Sequence, residues 1–183
     1  MKKSLTFIAF ALLLHTATVY AQPSPSADPT GQVVLPDNTI VSGNIKDNIR
    51  KKGEVIVLNG EQKTKYKAGD ISSVQIGSLQ YISLNYTFYE VIFAGKNLTL
   101  LRKANEPAGI QYNGSDAVPI NSEGNIDDLF IKKNSDASLQ LITKKNIKEV
   151  LGSVCSSCAA TVDAAKFDAG SVKKAVAGCD GCK

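Results

Sequence analysis

The chain has 183 residues, 43% hydrophobic and 21% charged, with a formal net charge of +4. That length and apolar content suit one domain with a sizeable core, and they exclude several domains or wholesale disorder. There is no Trp, one Met (Met1), one His (His15) and two Arg (Arg50 and Arg102), which narrows the chemistry further.

At the amino terminus, Lys2 and Lys3 precede an uncharged apolar run over residues 5–14. Val19-Tyr20-Ala21 then offers a small-residue cleavage site before Gln22. This layout predicts a secretory signal peptide over residues 1–21, the apolar run being too short for a comfortable membrane span. An uncleaved anchor is the alternative reading of the same flanks. No Cys stands near the cleavage site, so a lipid anchor is unsupported. No later stretch approaches the roughly 20 apolar residues of a transmembrane helix. The expectation is an exported protein, periplasmic or secreted, with no transmembrane segment in the mature chain.

Cleavage removes Met1 and His15, and takes the 21 basic residues to 19 against 17 acidic ones, a net charge of +2. Without His, a Ser-His-Asp or Cys-His site and a His-liganded catalytic zinc are excluded, as is haem held by His or Met. A net charge of +2 with two arginines is not the footprint of a nucleic-acid binder.

Residues 22–30 (QPSPSADPT) hold three of the six prolines and read as an extended, solvated Pro/Ser-rich leader. Residues 31–143 then form a succession of short strands broken by Gly, Asn, Asp and Pro. Candidate strands lie at 32–35, 39–45, 54–58, 64–67 and 71–76. Ile82, Leu84, Tyr86 and Phe88 alternate with Ser83, Asn85, Thr87 and Tyr89, the period of one half-buried strand. Apolar runs at 89–93 and 98–101 flank Ala94-Gly95-Lys96-Asn97 as a hairpin, and runs at 129–131 and 139–142 flank Asn134-Ser135-Asp136 as another. No helix-length pattern of 3.6 residues precedes Thr143. The pattern predicts a mainly β fold: an antiparallel sandwich, roll or small barrel of short strands, followed by a short C-terminal helical hairpin.

Candidate sites within this zone are diffuse. Lys46, Arg50, Lys51 and Lys52 form a basic cluster beside a turn, either an exposed loop tip or a contact for an acidic envelope surface. Tyr81, Tyr86, Phe88, Tyr89 and Phe93 could line a carbohydrate groove, although alternation assigns about half of them to the core. Asp116, Glu123, Asp127 and Asp128, with Asn113, Asn121 and Asn125, make an acidic loop region without a Lys or Arg. It lacks the D-x-D-x-D-G order of a calcium loop and reads as solvated. No spacing singles out a general acid and a nucleophile for glycoside hydrolysis, and no G-x-S-x-G, P-loop or dinucleotide fingerprint is present.

The segment GQVVLPDNTIVSGNI from Gly31 resembles the opening hairpin of uncharacterised exported β-rich proteins of Bacteroidetes-type bacteria, G-x-hydrophobic followed by D-x-T-hydrophobic-x-G-x-hydrophobic. Tyr66-Lys67-Ala68-Gly69-Asp70-Ile71 is similar to their Y-x-P-x-D-I turn, with Ala68 where Pro is usual. A helical tail after the last hairpin also fits that layout. The resemblance implies location and architecture; that family has no established activity.

Residues 144–183 change character, becoming Ala- and Lys-rich and holding all four cysteines as Cys155-Ser-Ser-Cys158 and Cys179-Asp-Gly-Cys182. Two Cys-x-x-Cys pairs 20 residues apart suit a tetrahedral zinc site. In an oxidising compartment the same four thiols are expected as disulfides, two of the three connectivities linking one pair to the other. Thioredoxin-type chemistry fits less well, because that pair follows a strand at a helix start. Here Ile147, Val150, Leu151, Val154, Cys158, Val162 and Ala165 form a helical stripe that Gly152 or Ser156-Ser157 would interrupt. A second helix is expected from Ser171 as cap, with Val172, Ala175 and Val176 inside and Gly178 ending it.

Two functional classes follow. The first is a non-enzymatic exported module without a cofactor, binding an envelope partner or ligand and stapled by disulfides at Cys155, Cys158, Cys179 and Cys182. The second is an envelope protein in which those four cysteines bind zinc or carry thiol redox chemistry.

Overall fold

The structure, a computed structural model, describes residues 28–107, 110–113, 115–119, 122–155 and 167–181. The predicted signal peptide, most of the leader, Cys158 and Cys182 lie outside the described residues. The chain begins with β1 (Thr30–Val34) and β2 (Ile40–Asn48), then one helical turn, α1 (Ile49–Lys52). Gly53 closes that turn at φ +61°, and its N–H donates to the Ile49 carbonyl. Next come β3 (Glu54–Asn59) and β4 (Gln62–Lys67). A 3-10 turn (Ala68–Asp70) then leads into β5 (Ser73–Ile76) and β6 (Leu79–Leu84). The Y-x-x-x-D-I segment is that turn. Asp70 Oδ2 accepts from the Lys67 N–H, and Ile71 plugs into the core.

The predicted strand through Ile82 and Phe88 is two strands. Asn85 and Tyr86 both adopt positive φ (50° and 61°), the signature of a two-residue primed hairpin turn, which separates β6 from β7 (Thr87–Ala94). Leu84 pairs with Thr87 and Ser83 with Phe88. Ile82 and Phe88, which would share a face in a continuous strand, therefore point to opposite faces. The hairpin to β8 (Leu98–Lys103) is as predicted, with a bulge between Val91 and Phe93. The acidic region is not all loop, since β9 (Ile110–Asn113) pairs with β10 (Asp116–Pro119) as a separate two-stranded hairpin. Then follow β11 (Leu129–Lys133) and β12 (Gln140–Ile142), the second predicted hairpin.

Ten strands form one antiparallel sheet in the order β12-β11-β8-β7-β6-β5-β1-β2-β3-β4. The mainly β, antiparallel expectation is met. The sheet curls: β2 and β7 are four strands apart, which a flat sheet would place ~19 Å from each other. Yet Arg50, just beyond β2, reaches to within 3.7 Å of Glu90 on β7. Inside the curl, Val33, Ile45, Val55, Val74 and Phe88 are almost fully buried. Gly31 lies where β1 passes between β2 and β5, and a Cβ there would strike the Gln75 carbonyl and the Ile45 side chain.

The tail helices cover Leu98, Leu100, Leu129 and Ile131, so the end of the sheet and the tail share one core. Helix α2 (Ile147–Val154) stops at Cys155, whose φ of −101° and ψ of 88° end the helix. The described part of the predicted stripe, Ile147 to Val154, is helical; Cys158, Val162 and Ala165 lie outside the described residues. Helix α3 (Ala169–Asp180) starts earlier than predicted, capped by Asp168 instead of Ser171. The Asp168 carboxylate accepts from the N–H groups of Gly170 and Ser171 at 2.8 and 3.0 Å, which caps the helix three residues before the serine. Gly178 does not end α3; the helix runs on through Cys179 because that residue and Val176 are buried against the sheet.

Candidate functional site

The cysteines come first, as the sharpest feature of the sequence. Cys155 is bonded to Cys179, with Cα atoms 5.2 Å apart, so one member of each Cys-x-x-Cys pair joins the end of α2 to the last turn of α3. Both half-cystines are buried with Val172 and Val176. The bridge consumes one thiol from each pair, so a zinc site of four thiolates requires it to be reduced first.

Beside the bridge, Asp180 holds the tail to the sheet. Its carboxylate accepts from three successive backbone N–H groups in the β7–β8 hairpin: Lys96 at 2.8 Å, Asn97 at 2.6 Å and Leu98 at 2.8 Å. Burial acts to raise the Asp180 pKa, but the three donors and the nearby Lys96 charge outweigh it, leaving the carboxyl below its ordinary value. This clamp has no signature in the sequence, because its partners are backbone groups 82 to 84 residues away.

The acidic region also looks different once folded. Locally it has no basic residue, but the fold brings both arginines of the chain to it. Arg50 Nη1 donates to Asp127 Oδ1 at 2.8 Å, and Arg102 donates from Nε and Nη2 to Glu90 Oε2 at 3.1 and 2.6 Å. Beside them, the fully buried Lys103 ammonium donates to Glu106 Oε2 at 2.7 Å and to the Gly124 carbonyl at 2.5 Å. The Tyr81 phenol beneath the cluster is pushed up to about 12, chiefly by burial and then by Asp47 and Glu90. Charges here are matched and donors are spent on the protein itself. The arrangement ties α1, β7, β8 and the acidic loop together, and it presents no unpaired reactive group. Among the described residues no cluster of acids or cysteines is arranged to hold a metal ion.

The remaining candidates sort by face. Tyr81, Phe88 and Tyr89 are buried and Phe93 is half-buried, leaving Tyr86 as the exposed ring, so the aromatics form packing and not a groove. The predicted basic cluster divides: Arg50 enters the ion-pair cluster, while Lys46 projects from the outer face of β2 with Ser42 and Asn44.

That outer face was not legible as a site. Across four adjacent strands, register aligns Gln80, Gln75, Gln32 and Ser42 in one row, all exposed. The next rows align Thr30 with Asn44, Leu58 and Lys63, and Lys46 with Ile56 and Lys65. An open groove of about 470 Å³ lies beside the glutamine row, lined by Thr30, Gly31, Gln32, Ser42, Gly43, Asn44, Gln75 and Gly77. Strand alternation could have given each outward position, but the row exists only through pairing.

Comparison with protein-family models, curated proteins and solved structures finds no significant match to this chain.

Proposed function

We propose that this protein is an exported, non-catalytic β-rich module that binds an envelope ligand on the outer face of its sheet, with the disulfide-stapled tail closing the core at the other end of the sheet. The observation that carries this reading is the polar groove over β1, β2 and β5. There the side chains of Thr30, Gln32, Ser42 and Asn44 face outward without a hydrogen bond to another described residue and Gln75 makes one, to the Gly77 carbonyl, whereas the ion-pair cluster satisfies itself. The amino-terminal layout and the buried disulfide support export into an oxidising compartment. Likeness of the opening hairpin to exported Bacteroidetes-type proteins points the same way. Leu58 and Ile56 stand half-buried next to the groove, but its own lining is Thr30, Gln32, Ser42, Asn44, Gln75 and three glycines, so a polar ligand suits it better than an apolar one.

Two measurements test the reading. Intact mass of the protein recovered from the export compartment should place its first residue at Gln22. Titration with soluble envelope glycan fractions, followed by amide chemical shifts, should move resonances of Gln32, Ser42 and Gln75. Retention of residues 1–21 would overturn the export half, and shifts confined to other surfaces would overturn the binding half.

A further inference from the structure

Resting on that reading, we infer that the ligand of the outer face is an acidic polysaccharide, lying across the strands along the glutamine row with its carboxylates against Lys46, Lys63 and Lys65. The row spans ~15 Å over four strands at the usual strand spacing. A primary amide both donates and accepts, so a ladder of amides matches a chain of sugar hydroxyls, which also do both. Within the row the side chains make one hydrogen bond, Gln75 Nε2 donating to the Gly77 carbonyl at 3.3 Å, so this capacity is open to a ligand.

The lysines supply the charge preference. Lys63 and Lys65 share the outer face of β4, and Lys46 stands across Ile56 from Lys65. None of the three takes part in an ion pair among the described residues. Lysines on an edge strand ordinarily guard against pairing with another sheet, which accounts for Lys63 and Lys65 on β4. Lys46 is off that edge strand, on β2, where it pairs with Ile56 of β3 two residues past the last β1 pairing at Asn44. The same face lacks what other polyanions need. Single-stranded nucleic acid is held by stacking aromatics, and no aromatic stands in these rows. An anionic membrane surface asks for apolar side chains that project beside the lysines, whereas Ile56 and Leu58 between them are half-buried among the strands and the neighbouring row is of amides.

The test compares a short oligogalacturonate with its methyl ester, which has the same sugar backbone without the charges, on the full-length mature protein. The acid should shift the side-chain amides of Gln32, Gln75 and Gln80 and bind about tenfold more tightly than the ester, with affinity falling as salt is added. Replacing Lys46, Lys63 and Lys65 together by Gln should bring the acid down to the affinity of the ester. Gln32→Ala with Gln75→Ala, away from the sheet edge, should weaken both, and the amide spectrum of each variant reports that it is folded. Equal binding of acid and ester at this face would overturn the acidic preference while leaving a glycan-binding face. Shifts at the lysines with duplex DNA or phosphatidylglycerol vesicles, and none with either oligomer, would overturn the glycan assignment. No shift at this face with any of these probes would overturn both this inference and the binding reading beneath it.

Discussion

Replacing Cys155 and Cys179 together by Ser removes the covalent tie between α2 and α3 and leaves no unpaired sulfur at either end of it. The two are 24 residues apart, and closing a loop of that length restricts the unfolded chain by about 3.5 kcal/mol on the chain-entropy account. At 2–4 °C per kcal/mol for a chain of this size, the melting temperature should fall by about 10 °C. The loss should be concentrated in the tail. Helix α3 has 12 residues, a length that is marginal for an isolated helix, and its other anchors are Val172, Val176 and the Asp180 clamp. Thermal unfolding by circular dichroism gives the global change, and amide hydrogen exchange gives its location. Protection should drop most over residues 172–179 and least in β1, β2 and β5, which pack in the other part of the core. An unchanged melting temperature would refute the reasoning, and so would a loss of protection spread evenly over the sheet. Reducing the unmodified protein should reproduce the pattern of the double variant.

Asp180→Asn should weaken tail docking by about 1 kcal/mol, because an amide presents one carbonyl acceptor in place of a charged carboxylate. The Asp180 pKa is depressed in the fold, so its stabilisation is present above the unfolded-state pKa and is lost as pH falls through the folded one. Acid titration of α3 protection should show this loss in the original protein and not in the variant. Arg102→Met should cost about 2–3 kcal/mol in denaturant unfolding because it takes both side-chain hydrogen bonds from the Glu90 carboxylate, only 11% exposed, and leaves it the longer Arg50 contact alone. Arg50→Met, at a side chain 42% exposed, should cost under about 1 kcal/mol, and equal costs would contradict the assigned roles. Gly31→Ala should destabilise by about 1–3 kcal/mol in the same assay, since the added methyl meets the backbone of β5, which cannot turn aside as a side chain could.

The parts of this protein that depend on neighbours in sequence were readable from sequence. Period-two runs marked most strands, the Gly-containing loop at 94–97 marked the β7–β8 hairpin, and the Ile147–Val154 stripe marked α2. Where local signals competed, the reading slipped. The alternation of residue types from Ile82 to Phe88 runs on through Asn85-Tyr86, but the two-residue turn there sets Leu84 beside Thr87 and so swaps the faces, which residue types alone do not show. The Asp168 cap and the continuation past Gly178 were settled by a carboxylate within reach and by burial of Cys179, not by residue preference.

What only the tertiary structure decided is everything held by groups far apart in the chain. The joining of Arg50 and Arg102 to Asp127 and Glu90, the grip of Asp180 on the β7–β8 turn, and the alignment of Gln80, Gln75, Gln32 and Ser42 follow from strand register and sheet curl. Register is an agreement among many pairings at once. A shift of one residue on β1 would turn Gln32 inward and Val33 outward, and it is the burial of Val33 with Ile45 and Val74, not any property of glutamine, that sets the row on the surface.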